Sequence, residues 1–279
     1  MKNSKLNPLT HVRAFHDILL LLTSHRQLTW EMTKKELTDR YAGQVLGTIW
    51  VLGHPLIMVA VYIFLFVIVY RARIPAELQL QLDMTAYLLT GLLPWMAFQE
   101  SMGKASSSIV NEASLVKQVI FPIEILPVKG VIVSLITQVL TMSLLLLYIA
   151  LKCQTVHLST ALLPVLVIFQ TMAMIGVSYL LSSIGVFFRD IKDFVQVFCF
   201  AGIFLMPILY LPVQVPTIFR PILYLNPFSY MTWCYQDAIF FGKFEHWWAW
   251  PIFVFGSIAI FYIGYGIFYK LKHIFGNVL

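Results

Sequence analysis

Six long apolar runs constrain this chain more than any other feature: approximately Trp50 to Tyr70, Thr85 to Ala105, Val131 to Leu151, Ala161 to Phe188, Phe194 to Leu211 and Trp247 to Tyr269. About 20 residues at ~1.5 Å rise per residue cross a hydrocarbon core of ~30 Å, so each run reads as a transmembrane helix. The third and fourth contain no charged residue. Barrel strands would instead show alternation over ~10 residues. The sequence therefore predicts an all-α integral membrane protein with six transmembrane helices. Only 11% of the 279 residues are charged and mean hydropathy is +0.82, whereas soluble domains carry about 25% charged residues. A water-soluble globule is excluded.

Lys and Arg in the connections set the orientation. Lys2, Lys5, Arg13, Arg26, Lys34, Lys35 and Arg40 precede the first run, and Lys104, Lys117, Lys129, Arg189, Lys192, Lys270 and Lys272 fall on the same side. Arg71, Arg73, Lys152, Arg220 and Lys243 fall on the other. Both termini are expected in the cytoplasm, with a multi-pass chain between them. The positive-inside bias accounts for the net charge of +6, so no nucleic-acid partner is expected. Ile18 to Leu22 is too short for the core of a cleavable signal peptide, and no small-residue cleavage site follows. Cys153, Cys199 and Cys234 are widely separated without CxxC spacing, which supports neither a zinc site nor a disulfide framework. No metal site is expected.

Four of the segments outside the runs are informative. In residues 28–47, Trp30, Leu37, Tyr41 and Val45 share one helical face at 100° per residue. This reads as an amphipathic helix in the cytoplasmic interface, with Trp30 and Tyr41 at headgroup level and Arg40 beside them. It closes an N-terminal region, residues 1–49, ahead of a six-span transmembrane domain, residues 50–279. The second segment, residues 106–130, contains ASLVKQVIFPIEILPVKG. Ile109, Ala113, Val116 and Ile120 line one helical face, with Asn111, Ser114 and Gln118 opposite and Glu112 and Lys117 on the flanks. Pro122 and Pro127 are expected to end that helix and hold the chain extended. Such a piece can dock a partner or float on lipid, and periodicity does not separate the two.

The third segment, FFRDIKD at 187–193, is a charged turn carrying Arg189 and Asp190. The fourth, residues 212–246, is apolar yet broken by Pro212, Pro216, Pro221 and Pro227. No part of it is long enough to cross a bilayer. Irregular backbone at membrane depth is tolerated only where protein or a water-filled cavity surrounds it, so short re-entrant helices on the outer side are expected before the last span.

Enzyme motifs are absent. Gly103-Lys104 and Gly242-Lys243 lack both the upstream glycine and the following hydroxyl of a phosphate-cradling loop, and there is no HExxH or GxSxG. No chain of carboxylates that could relay protons runs through the spans. The chain holds 22 Phe, 13 Tyr and 7 Trp. Much of that is interfacial belt and lipid-facing packing. Rings can also pack against the C–H faces of a sugar while Tyr and Trp donors meet its hydroxyls. Trp50, Tyr62, Tyr87, Trp95 and Phe98 are the candidates for such a pathway.

Several stretches together resemble permeases of the type-2 ABC exporter family that move polysaccharides. YAGQVLGTIWVLGHPL, with Leu46, Gly47, Trp50 and Pro55, is similar to the start of that family's first span. LVKQVIFPIEILPVKG resembles its connection after the second span, through Leu115, Val116, Lys117, Phe121, Pro122, Leu126 and Pro127. FFRDIKD resembles the turn after the fourth span. MPILY and LNPFSYMTWCYQDAIFFG resemble the fifth-span exit and the asparagine-proline stretch, through Pro207, Tyr210, Asn226, Pro227 and Gly242.

The resemblance implies a homodimer paired with two copies of a separate ABC ATPase, which would carry ATP and Mg while this chain carries no cofactor. It also implies a coupling helix seated on that ATPase, with Asn111, Glu112, Leu115, Lys117, Phe121 and Pro122 at the contact and Arg189 and Asp190 beside it. Pro207, Tyr210, Asn226 and Pro227 would form an outer gate. The substrate would be a lipid-linked glycan, the FPIEILPVKG stretch leaning toward O-antigen or teichoic acid over capsule. Export of a drug or simple lipid is the nearest alternative, and a membrane-bound glycan-synthesis enzyme the more distant one.

Overall fold

The computed structural model describes residues 24–39, 43–44, 47–70, 82–118 and 121–279, and among these every regular element is helical. Among the described residues, four stretches are long and apolar enough to cross a membrane. The first is α2 (Trp50–Tyr62) with a π-helical continuation, together Trp50–Val69. Then come α6 (Ile125–Tyr148) with its continuation to Cys153, α7 (Leu163–Phe187) with the 3-10 turn before it, and α11 (Ala249–Val278). They correspond to the first, third, fourth and sixth expected spans.

The second expected span is α3 (Met84–Ala105), the centre of the bundle. Of its 22 residues 17 are buried, and α6, α7, α8 (Ile191–Gly202) and α10 (Pro227–Gln236) pack around it. A helix wrapped in protein needs no lipid-facing stripe, so α3 can carry Thr85 and Thr90 in buried positions. The first span is the opposite case: within α2 only Pro55 is buried, and Ile57, Val61, Phe64 and Ile68 are exposed.

The fifth expected span does not form one helix. α8 runs for 12 residues, about 18 Å of rise, and the chain then turns through Ile203–Leu211. Pro207 lies in the broken stretch, where it supplies no N–H and restricts the residue before it.

Two further expectations change. Ile109 and Val116 do not share one helix: α4 (Ser108–Asn111) and α5 (Ala113–Gln118) are separated at Glu112, and Ile120 lies outside the described residues. Pro127 does not hold an extended chain. It sits in the first turn of α6, where a missing N–H costs no intrahelical bond.

The closest packing is between α7 and α11, which run together along most of their length. A Cβ on Gly264 would stand 2.0 Å from the carbonyl oxygen of Gly176, and one on Gly176 would stand 2.4 Å from that of Ile260. The two backbones therefore touch, as small residues permit in membrane helices. Tyr179 closes the seam, with its ring 4.7 Å from Phe268 and 5.6 Å from Tyr265. Gly185 plays the same part where α7 meets the end of α3: a Cβ there would be 2.1 Å from the carbonyl oxygen of Ser106.

Between α8 and α11 the chain forms α9 (Arg220–Leu225) and α10, which is prolonged by a π turn, Asp237–Phe241. Asn226 joins them. Its side-chain oxygen accepts from Phe228 N–H at 3.0 Å, with Pro227 at the first helical position, the arrangement expected of an N-cap. These are the short helices expected before the last span, and α10 is buried against α3 and α11.

Candidate functional site

At the α4–α5 end of the bundle, charged side chains from four segments converge. Glu36, on α1 (Arg26–Asp39), places Oε1 3.7 Å from Lys104 Nζ and Oε2 3.5 Å from Lys129 Nζ. Lys104 also pairs with Glu100 at 3.1 Å, one turn back on α3, and Lys129 with Glu112 at 3.0 Å. These groups, with Leu28, Met32, Leu115 and Phe121, line a cleft of about 1160 Å³. Next to it, Glu124 pairs with Lys272 of α11 at 2.6 Å.

A second cavity, of about 500 Å³, lies between α2, α3, α6 and α8. Its wall mixes apolar side chains with His54, Gln99, Thr137, Gln138, Thr141 and Gln196. Glu100, Gly103 and Lys192 line both cavities, so the two adjoin. A Cβ on Gly103 would meet nothing within 4 Å, as befits a position facing open space on both sides.

At the other end of α3, the broken stretch after α8 leaves carbonyls without helical partners, and side chains supply the donors. Tyr210 Oη donates to Phe204 O at 2.7 Å, and Asn226 Nδ2 to Leu205 O at 3.3 Å. Gln236 Nε2 donates to Pro207 O at 2.7 Å. Tyr87 Oη lies 3.1 Å from Pro207 O and 3.2 Å from Tyr210 O. Non-helical backbone is stable inside an apolar assembly only when such groups are paired, so this stretch is a built feature of the bundle.

Glu112, Leu115, Phe121 and Asn111 line the cleft. Lys117 is exposed on α5, and Pro122 is half-buried beyond it. Arg189 and Asp190 are exposed at the turn between α7 and α8, one turn past the Gly185–Ser106 contact. Trp30 is 54% exposed; α1 packs on α6 and buries Thr29 and Thr33. The packed face is thus not the Trp30 face. Arg40 and Tyr41 lie outside the described residues.

Of the rings proposed for a pathway, Tyr62 lines the second cavity and Trp50 is half-buried at the start of α2. Tyr87, Trp95 and Phe98 are instead core residues, 0–2% exposed. Tyr87 packs edge-on to Phe240, while Trp95 and Phe98 both pack edge-on to Phe228. Pro207, Tyr210, Asn226 and Pro227 all belong to the broken stretch or the α9–α10 joint.

Sequence reasoning missed two buried polar clusters. Gln138 on α6 and Gln170 on α7 exchange paired amide bonds at 2.8 and 3.0 Å. Tyr235 joins them from α10, and Gln170 also donates to Pro94 O at 3.1 Å. Gln138 and Gln170, the sole amide side chains of α6 and α7, were the available signal, because polar groups at membrane depth need partners. Nearer the end of α10, Asp237 accepts from His246 N–H at 2.9 Å and from Trp250 Nε1 at 3.1 Å, and its carboxylate lies 2.8 Å from His246 Nδ1.

Comparison with known proteins gives a consistent result. The family model described as "ABC-2 type transporter" matches residues 27–240. The chain is similar to a protein named O-antigen export system permease protein RfbA from Klebsiella pneumoniae, 29% identical over 249 residues, which are 89% of this chain and 93% of that one. It is also similar to a protein of the same name from Myxococcus xanthus, 32% identical over 222 residues, 79% of this chain and 82% of that one.

Proposed function

The chain belongs to the ABC-2 type transporter family, and from that premise we propose that it is the transmembrane subunit of an exporter of a lipid-linked, O-antigen-like polysaccharide. The chain is a transporter component and not an enzyme; ATP and Mg²⁺ act on a separate ATPase chain. Near full-length likeness to proteins named as O-antigen export permeases carries the substrate class. The membrane is the bacterial inner membrane, both termini face the cytoplasm, and two copies of the chain work with two ATPase subunits.

In this reading residues 1–49 are the cytoplasmic N-terminal region and residues 50–279 the permease domain. Residues 106–130 receive the ATPase: Asn111, Glu112, Leu115, Lys117, Phe121 and Pro122 make the contact, and Arg189 and Asp190 flank it. Trp30, with Arg40 and Tyr41, holds α1 at the headgroup layer. The glycan enters where the cleft and the second cavity adjoin and passes Tyr62 and the polar wall around Gln138. Rings and amides there offer C–H packing and hydrogen bonds of no single register, as a sliding polymer requires. The outer gate is the broken stretch of Pro207 and Tyr210 with Asn226 and Pro227, within residues 212–246 and their lead-in.

Reconstitution tests this. Vesicles holding the permease and its ATPase are expected to move lipid-linked glycan across the bilayer only with hydrolysable ATP. Variants at Glu112, Lys117 or Phe121 are expected to fold and hydrolyse ATP while moving little glycan. Transfer that proceeds equally well without the ATPase chain would overturn the proposal.

A further inference from the structure

Glu36 is placed where neutralising the nearby lysines does not require it. Lys104 already pairs with Glu100 and Lys129 with Glu112, so removing Glu36 leaves neither ammonium without a carboxylate. What Glu36 adds is a connection. It is the only one of the five groups on α1, and its two oxygens reach separate elements, the end of α3 and the N-terminal part of α6. Glu112, Lys129, Glu36, Lys104 and Glu100 thus form an unbroken chain of charge contacts from the α4–α5 joint to α1 and back to α3.

The fold makes room for it. Gly130 follows Lys129, and a Cβ there would stand 3.2 Å from Lys104 Cβ and 3.9 Å from Glu36 Oε1. The side chains of Glu36, Lys104 and Lys129 are 22%, 19% and 11% exposed. Fully exposed pairs contribute little and are screened by salt, but half-buried networks are screened much less.

We propose that Glu36 is a positioning residue for energy transfer: its carboxylate makes α1 move with the α4–α5 segment and with the adjoining ends of α3 and α6. α1 ends at Asp39 and the first span begins at Trp50, and that span supplies His54 and Tyr62 to the cavity wall. A push received at Glu112 then reaches the first span through Lys129, Glu36 and α1. This rests on the coupling role proposed above for residues 106–130.

The test compares Glu36→Gln, Glu36→Asp and Leu115→Ala in the reconstituted complex, reading glycan transferred per ATP hydrolysed. Gln keeps the shape of Glu without its charge, and Asp keeps the charge on a shorter stem. A charge clamp is expected to lower the ratio at least about fivefold in Glu36→Gln, the low end of typical coupling effects, with Glu36→Asp nearer to wild type. A packing role gives the reverse order, and that order or an unchanged ratio overturns the proposal. If Leu115→Ala lowers the ratio and Glu36→Gln does not, only Glu36's part falls. If neither lowers it, the coupling reading falls as well.

Discussion

Replacing Gly264 with alanine tests the seam that holds the fourth and sixth spans together. The new Cβ would stand 2.0 Å from Gly176 O and 2.7 Å from Gly176 C. Real Cβ contacts essentially never come under 3.0 Å, and backbone cannot swing aside as a side chain can. The helices must therefore part by at least ~1 Å, because interiors this close-packed pass strain on instead of absorbing it. Parting also loosens the Tyr179 ring from Phe268 and Tyr265, and stretches the 3.3 Å bond from Tyr179 Oη to Glu124 O. Overpacking of this kind costs about 1–3 kcal/mol. Gly266, half a turn away, supplies the control, since a Cβ there meets nothing within 4 Å and alanine gains up to about 1 kcal/mol in helix propensity. Unfolding of purified permease in mixed micelles, followed by tryptophan fluorescence, is expected to separate Gly264→Ala from Gly266→Ala by about 2 kcal/mol or more. Equal stability of the two variants would refute the backbone-contact argument.

Three further outcomes are expected. Tyr87→Phe removes the hydroxyl that lies between Pro207 O and Tyr210 O, while Pro207 O keeps Gln236; a lost hydrogen bond of this kind costs about 0.5–1.5 kcal/mol, and unchanged unfolding would contradict it. Gln170→Leu removes bonds to Gln138, Tyr235 and Pro94 O. At ~0.6 kcal/mol for each membrane-buried bond the loss is about 2 kcal/mol, read by the same unfolding assay. Asp83 caps α3, and burial alone would push its carboxyl up. Hydrogen bonds from Tyr148, Ala86 N–H and Lys152 outweigh burial and hold it below its usual value. A depressed carboxyl stabilises the fold above its unfolded pKa and loses that contribution as pH falls through its folded one. Wild type is therefore expected to exceed Asp83→Asn in thermal stability at pH 7, the gap closing toward pH 3; a gap that persists there would count against this.

The spans that face lipid were legible because continuous apolar composition and length are what a bilayer selects. What faces protein was less so. Tyr87, Trp95 and Phe98 are as hydrophobic in a core as in a pathway wall, and only packing shows that they meet Phe240 and Phe228. The break after Gly202 was hidden for a related reason: Ile203–Leu211 is apolar throughout, and the donors that make its turns stable come from Tyr87, Asn226 and Gln236, distant in sequence. Pro207 was the local sign, and it alone does not distinguish a kink from an end. On α1, hydrophobic periodicity picked out the Trp30 face, expected toward the headgroups, but gave no sign of the face that meets the protein, which carries Thr29, Thr33 and Glu36. Small and charged residues leave no trace in an apolar moment. Of the residues expected to contact a partner, Asn111, Glu112, Leu115 and Phe121 line one cleft, close in sequence on or beside α4 and α5, whereas Lys117, Arg189 and Asp190 are exposed outside its lining.

Where the glycan accumulates in cells separates its export from its synthesis. In cells lacking this gene, lipid-linked glycan inside the cytoplasmic membrane and polymer at the cell surface would be extracted and compared, before and after the gene is restored. Export predicts polymer trapped inside, absent outside, and returned to the surface on complementation. Loss of polymer in both places would contradict export and point to a role in its synthesis.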